Sequence, residues 1–379
     1  MRGVNSVIQK LYGKRVLLRV DFNLPMADGK FSDEFRLLKT LPTIKLLKRS
    51  GAKIVLISHL ESAGKNPSFR PLLKVIKKHL GEVVFAGDIA GGKAERKTKS
   101  VRPGRVLLVE NLRRNPGEEK NSPGFARKLA RLGDIYVNEA FSASHRKHAS
   151  ITGVTKYLPS FVGPLFLSEI QALKKAMNPP RPFMLILGGN KLQTKIPLIE
   201  KFFNKADSIV LAGLMMLPLF PFFGWGTGRT AYEKASRGFA EKLSRSPKVL
   251  KPKDLVLFGP KGRRVAGSGS VLAGEIICDL GPESLKDMTL KIKKSSFIFW
   301  NGPLGRIEDG FDKGTIFLVR ALKRSRAKVF VGGGDTAGFL HRNGLTKGFD
   351  FISTGGGASL EYLAKGTLPG IEALKKFRG

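Results

Sequence analysis

"KVFVGGGDTAGFL", residues 328–340, runs from an apolar stretch into a triple glycine and then into residues that can begin a helix. A strand of a parallel sheet hands the chain to its crossover helix in this way. The free amides at such a helix start suit a phosphate. Gly332, Gly334 and Ala337 also fit the dinucleotide spacing Gly-x-Gly-x-x-Gly/Ala. Alone, the loop leaves three readings open: a dinucleotide, a nucleoside triphosphate, or no ligand.

Working outward, the pattern recurs. "PFMLILGG", "DSIVLAG", "DLVLFGP", "SFIFWNGP" and "FDFISTGGG" are apolar runs of the second half that also end in glycine turns. All are expected at the carboxyl edge of a parallel sheet, where open α/β sheets bind ligands. In the first half, "RVLLRVDF", "AKIVLISH", "EVVFAG", "RVLLVEN" and "DIYVNEAF" read as strands. Helical stretches such as "DEFRLLKTLPTIKLLKRSG" and "PGFARKLARLG" separate them. This alternation predicts a parallel sheet covered on both faces in each half. A length of 379 residues accommodates two domains. "VGPLFLSEIQALKKAMNPPRP", between the halves, reads as one connecting helix stopped by a Pro-Pro turn.

Composition narrows the function classes. Hydrophobic residues make up 42% of the chain, too many for a disordered protein. Cys278 is the single cysteine, so no internal disulfide forms, which fits a reducing compartment. The N-terminal stretch has no apolar signal core, and the chain reads as cytoplasmic. "IVLAGLMMLPLFPFFGWG", residues 209–226, is uncharged and near the lower length for a membrane span. Pro218, Pro221 and its glycines favour a strand followed by a buried helix or loop instead. The formal charge is +37. A basic cleft attracts phosphorylated metabolites and nucleotides, and a basic surface binds nucleic acid non-specifically. The densest run, Lys93 to Arg105, holds six basic residues and one acid. Elsewhere the charge is spread along the whole chain, as on a solvated surface.

Several clusters compete for chemistry. "GDIAGGKA", from Gly87, nearly matches a P-loop, but Ala94 stands where a hydroxyl should hold magnesium, so a plain turn is the better reading. His145 and His148 are spaced for a metal, yet no second ligand cluster accompanies them. Around Arg146 they suit an anion or a structural role. In "RVDFNLP", Arg19, Asp21 and Asn23 alternate at a strand end and so share one face. In "GGNKLQTKI", Lys191 and Lys195 are four apart and are expected on one face of a helix's first turn. Cations are disfavoured there unless an anion is near.

These residues, in order, resemble the phosphoglycerate kinase family over essentially the whole chain. The motifs are "VLLRVDFNLP", "LISHL", "LVENLRRNPGEEKN", "VNEAFSASHRKHAS", "ILGGNKLQTKI", "DLGPES", "FWNGPLGRIE", "VGGGDTAG", "ISTGGGASLEYL" and "LPGIEAL". The resemblance implies an α/β fold of two Rossmann-like, doubly wound parallel-sheet domains, separated by a cleft and joined by a connecting helix. Residues 1–163 would bind the glycerate substrate, 164–178 form the connecting helix and 179–362 bind the nucleotide, with the tail 363–379 returning to the first domain. The implied reaction is reversible phosphoryl transfer from 1,3-bisphosphoglycerate to ADP, giving 3-phosphoglycerate and ATP, with Mg2+. Asp21, Asn23, Arg36, His59, Arg113 and Arg146 would contact the glycerate. Gly189, Lys191, Lys195, Gly213, Asn301, Glu308, Gly332, Gly333, Gly334, Asp335 and Thr336 would contact the nucleotide, with Asp335 near the metal. Arg36, Lys191, Lys195, Gly334 and Gly357 would act on the moving phosphoryl group. A monomer without membrane contact is expected, with nucleic acid bound non-specifically if at all.

The chain also departs from the pattern. After His59 the family usually has Leu-Gly-Arg, and here Leu60-Glu61-Ser62 follows, so one substrate arginine is missing and Lys65 or Arg70 is a candidate replacement. Thr194 replaces an aspartate, and Ala212-Gly213-Leu214 replaces a triple glycine, which reshapes an adenosine pocket. An alternative is therefore a catalytically weakened relative acting as a basic nucleic-acid-binding protein. A dinucleotide dehydrogenase lacks its ribose-binding acid, because Asp350 begins another strand.

Overall fold

The computed structural model describes residues 1–24, 26, 27, 30, 31, 33–61 and 66–376. The chain divides into two compact units. One is Met1–Leu173 with the tail from Lys365, and the other is Lys174–Ala364.

The first unit is built on a six-stranded sheet. Its strands run, edge to edge, Val83–Phe85, Val106–Leu108, Lys53–Ile57, Arg15–Arg19, Ile135–Asn138 and Ser160–Val162. Every pairing is parallel. Arg15–Arg19 comes first in the chain and lies centrally, with Lys53–Ile57 on one side and Ile135–Asn138 on the other. The strand order reverses there, which opens a crevice beyond the carboxyl ends. Val16, Leu18, Ile54, Leu56 and Val137 join Leu37, Ile44 and Leu47 of the helix Phe35–Arg49 in one core. The tail helix Pro369–Lys376 belongs to this unit, and the Gly370 N–H donates to the Ser144 carbonyl at 2.8 Å.

The helix Pro164–Met177 starts where Glu139 waits for it. The Glu139 carboxyl accepts from the N–H groups of Leu165 and Phe166 at 3.1 and 3.2 Å, and from the Thr43 hydroxyl. This satisfies amides that a helix start leaves orphaned.

The second unit has a five-stranded parallel sheet in the order Ser208–Leu211, Phe183–Leu187, Phe297–Asn301, Lys328–Gly332, Phe351–Ile352. Its order reverses between Phe183–Leu187 and Phe297–Asn301. At that point two turns touch through their backbones. A Cβ on Gly188 would lie 1.9 Å from the Pro303 carbonyl oxygen, and one on Gly302 would lie 2.2 Å from that of Gly188. Gly302 also has φ +96°, a left-handed conformation that side chains resist.

One strand expectation is corrected. Asp254–Gly259, the "DLVLFG" run, is not in the parallel sheet. It is the centre of a separate antiparallel sheet with Gly262–Gly267 and Ile276–Leu280. Its Gly-Pro ending is a two-residue hairpin closed by Gly262 at φ +83°. The uncharged 209–226 stretch is strand, then the 3-10 helix Gly213–Phe223. Among the described residues no helix is long and apolar enough to cross a membrane.

Two stability predictions follow from these contacts. Gly302→Ala should lower the urea-unfolding free energy by about 3 kcal/mol, from the positive φ and the carbonyl clash together. Burial pushes the Glu139 carboxyl up to about 7 from an ordinary 4.5, against the hydrogen bonds from Thr43, Leu165 and Phe166. Between those values the folded chain holds a proton that the unfolded chain has released. Stability should therefore fall by about 3 kcal/mol as pH rises from 4.5 through 7. Glu139→Gln should flatten that slope in unfolding titrations.

Candidate functional site

In the first unit the polar residues gather beyond the carboxyl ends of its strands. Arg19, the last residue of its strand, is 1% exposed. Its Nε donates to Ser150 Oγ at 2.9 Å, its Nη1 to the Val20 carbonyl, and its Nη2 to His59 Nδ1 at 3.1 Å. A guanidinium can only donate, so His59 Nδ1 accepts and the ring's proton sits on Nε2. Burial holds the His59 pKa well below its ordinary value, Arg19, Arg146 and Arg113 reinforce this, and Asp21 opposes it. His59 is thus a neutral donor.

Two residues on, burial would raise the Asp21 carboxyl. Arg36, Ser142 and the Asn23 N–H together hold it well below the carboxylate range instead. Arg36 Nη1 lies 3.2 Å from Asp21 Oδ2 and 3.3 Å from the Asn23 carbonyl. The Ser142 hydroxyl donates to the same carboxylate. Asp21, Asn23 and Arg36 are therefore brought together.

Arg113 and Arg146 meet across the loops after two further strands. Arg113 Nη2 and Arg146 Nη1 reach the same atom, Glu61 Oε1, at 2.9 and 3.7 Å. Arg113 Nη1 pairs with Glu119. Buried Arg113 Nε has no hydrogen-bond partner among the described residues. Asn111 ties the loops together by accepting from the Leu60 and Arg113 N–H groups at 3.0 and 3.1 Å. Burial pushes the His148 ring down to about 3, helped by Arg113, Arg146, Arg19 and His145, so it too is neutral.

His145 turns out to be structural. Its Nδ1 lies 2.9 Å from the Ser142 carbonyl, and its Nε2 accepts from Arg146 Nε at 3.3 Å. No group of three or more His, Cys, Asp and Glu suited to a metal occurs among the described residues. The P-loop look-alike is a plain helix start, where Asp88 accepts from the Gly91 and Ala94 N–H groups. Its own carboxylate stands where a phosphate would.

In the second unit, glycine turns after successive strands share one sheet edge. The Gly188 N–H donates to the Asn301 carbonyl and the Gly189 N–H to the Pro303 carbonyl, both at 2.9 Å. The Gly302 N–H donates to Thr336 Oγ1 at 2.9 Å. Gly333, at φ +97°, caps the helix Gly334–Arg342, and Asp335 lies exposed in its first turn. A Cβ on Gly333 would come within 3.1 Å of Asn301 Nδ2, a buried donor with no partner among the described residues. Lys195, 7% exposed, donates to the Gly188 carbonyl. Burial lowers its ammonium to about 8, Lys191 adds to this, and Asp335 and Glu233 oppose it.

Some details differ from expectation. Lys191 precedes the helix Ile196–Phe203 and Lys195 is its N-cap, so the two do not share a first turn. The turn arises because the Lys195 N–H and the Ile196 N–H both reach back to the Leu192 carbonyl. Lys191, Glu308 and Gly357 are exposed, and Gly213 lies at φ +58° beside the Gly189 carbonyl. The Thr194 hydroxyl turns back to the Lys191 carbonyl at 2.9 Å, and Leu214 is half-buried with its N–H on the Gly189 carbonyl. Arg70 is exposed, while Ser62 and Lys65 lie outside the described residues. Ser142 and the pairing role of Glu61 were missed, and only the alternation of Arg19, Asp21 and Asn23 hinted at Arg19's part.

Known proteins align with this arrangement from end to end. The phosphoglycerate kinase family model matches residues 6–366. The chain is 38% identical to the phosphoglycerate kinase of Thermus thermophilus, covering 96% of this chain and 97% of that one. It is 40% identical to that of Coprothermobacter proteolyticus, over 95% and 96%. Among solved structures, phosphoglycerate kinase from Pyrococcus horikoshii superposes with a TM-score of 0.88 at 29% identity, covering 99% of this chain and 98% of that one. The Coxiella burnetii enzyme gives 0.78 at 33%, covering 97% of each. With both strand-end clusters inside the matched span, the chain belongs to the phosphoglycerate kinase family, phosphotransferases that act on a carboxyl group.

Proposed function

We propose that this chain carries out reversible phosphoryl transfer from 1,3-bisphosphoglycerate to ADP, giving 3-phosphoglycerate and ATP, with the first unit holding the glycerate and the second the nucleotide. One observation supports the division of labour best. Each strand-end cluster contains a buried donor without a partner among the described residues, Arg113 Nε in the first and Asn301 Nδ2 in the second. A buried orphan donor is costly unless a ligand supplies the acceptor.

In this reading Arg36, Arg113 and Arg146 take the glycerate's anionic groups, and the neutral His59 Nε2–H donates alongside Asn23. Asp21 fixes Arg36. Lys191, Lys195, Asn301 and the amides of Gly332 to Thr336 take the nucleotide phosphates, and Gly189, Gly213 and Glu308 border the rest of the nucleotide. The acceptor carboxylate has a pKa of about 3–4, so it is ionised at neutral pH and needs no general base. The protein's task is positioning and neutralising charge on the moving phosphoryl group. Arg36, Lys191, Lys195 and the amides at Gly334 and Gly357 do this.

Mg2+ would neutralise charge on the nucleotide's phosphates. The residues fit a cation that arrives with the nucleotide: Asp335 is a single exposed carboxylate beside a lysine, and magnesium commonly keeps waters and one or two carboxylates. The chain acts as a cytoplasmic monomer in this proposal. No observation favours the nucleic-acid alternative.

Arg36→Ala should cut turnover in a coupled assay by about a hundredfold or more while far-UV circular dichroism shows the fold retained, with the melting temperature lowered because buried Asp21 loses its cation. Full turnover in that variant would refute the assignment. Lys195 is charged below about 8 and loses that charge above it. ADP affinity should therefore weaken about tenfold between roughly pH 7 and 9.5. Calorimetric titrations should show that drop, and Lys195→Met should abolish the pH dependence.

A further inference from the structure

Glu61 sits among cations that the proposed function reserves for a ligand. Its Oε1 lies 2.9 Å from Arg113 Nη2 and 3.7 Å from Arg146 Nη1. Glu119 already pairs with Arg113 through Nη1. Among the described residues, these two guanidiniums, +2, thus face these two carboxylates, −2, and the four side chains balance one another before any ligand arrives.

The exposure of the partners is unequal. The Arg113 side chain is 6% exposed and the Glu61 side chain 38%. The backbone beneath Glu61 is pinned. Its N–H donates to Asn23 Oδ1 at 2.9 Å, and Leu60 exchanges two hydrogen bonds with the Asn111 side chain, at 3.0 and 2.7 Å. The cation is therefore fixed and the carboxylate hangs from a fixed point with an open side toward water. Rotation about its side-chain bonds releases Glu61 without moving the chain.

We infer that Glu61 is a tethered internal competitor, a carboxylate that occupies the Arg113–Arg146 anion site and must leave when a phosphate or carboxylate ligand enters. This rests on the reading that those arginines receive the ligand. A tethered competitor weakens every anion held by those two arginines by a similar factor. A ligand with further contacts at Arg36 and His59 starts from a higher affinity and still binds, whereas a bare inorganic anion occupies the site only at higher concentration. Glu61 thereby sets an affinity threshold that ligands spanning the whole cluster pass.

Calorimetric titration of inorganic phosphate into the full-length protein, at low and fixed ionic strength, tests this. Glu61→Gln should tighten phosphate binding about three- to tenfold, the range expected for a half-exposed ion pair. Glu61→Asp, with the charge kept on a shorter stem, should fall between. Adding Arg146→Ala to Glu61→Gln should remove most of the gain, because the gain is coupling through the shared site. Phosphate binding that is unchanged or weaker in Glu61→Gln, with thermal melting unaltered, overturns the inference, as does a gain that survives Arg146→Ala. Tighter phosphate binding without any 3-phosphoglycerate binding would leave the inference standing and refute the proposed function instead.

Discussion

The buried guanidinium of Arg19 is the constraint on which the first unit's site depends. A fully buried charge must be met on every side. Ser150 and the Val20 carbonyl take two of its donors directly, His59 takes a third, and the carboxylates of Glu118 and Asp21 oppose the lowering of its pKa by burial. Glu118 is in turn held by the Ser150 N–H and hydroxyl at 3.0 and 2.6 Å. These partners come from four separate strand ends, so one side chain fixes the spacing of the loops that carry the candidate ligands. It also fixes a tautomer: a donor on Nδ1 leaves His59 only Nε2 to present.

The second unit meets its constraint with backbone instead of charge. Gly188 and Gly302 approach too closely for any side chain, and that approach sets the two turns at the strand-order reversal side by side. Thr336 then locks the third turn to the second by accepting from the Gly302 N–H. The amides near Gly333 and the Asn301 donor are placed by this packing, before any electrostatic contribution from Lys195. A polyphosphate needs many donors in a shallow arc, and backbone supplies them without burying further charge.

Much of this was legible in the sequence, and what was not has physical reasons. Apolar runs found every strand of the two parallel sheets except Ser160–Val162, because strands buried on both faces are continuously apolar, whereas that edge strand is only three residues long. The same signal misplaced Asp254–Gly259, since a hairpin and a crossover both begin with a glycine turn. Asp21, Asn23 and Arg36 were legible from spacing and family resemblance, and the structure brings them together. Spacing on an assumed helix misled for Lys191 and Lys195, where the helix starts only at Ile196. Glu61 was visible only as a departure from pattern. Its partners are 52 and 85 residues away along the chain (113 − 61 and 146 − 61), and no local rule links such positions.

The two clusters therefore answer differently to change. In the first, charges stand nearly balanced and desolvated, so altering one carboxylate redistributes the field on several cations at once. Asp21 and Glu118 stabilise arginines that His59 and His148 cannot join as further cations, and both rings are held neutral by the same crowding. In the second, donors are set by φ angles and close contacts, so a single methyl group at Gly188, Gly302 or Gly333 displaces geometry and leaves charge unchanged. Under the proposed function, a small glycerate with two anionic ends would be met by discrete side-chain charges, whose positions select its length. A nucleotide's polyphosphate would be met by a backbone surface, whose curvature selects its shape.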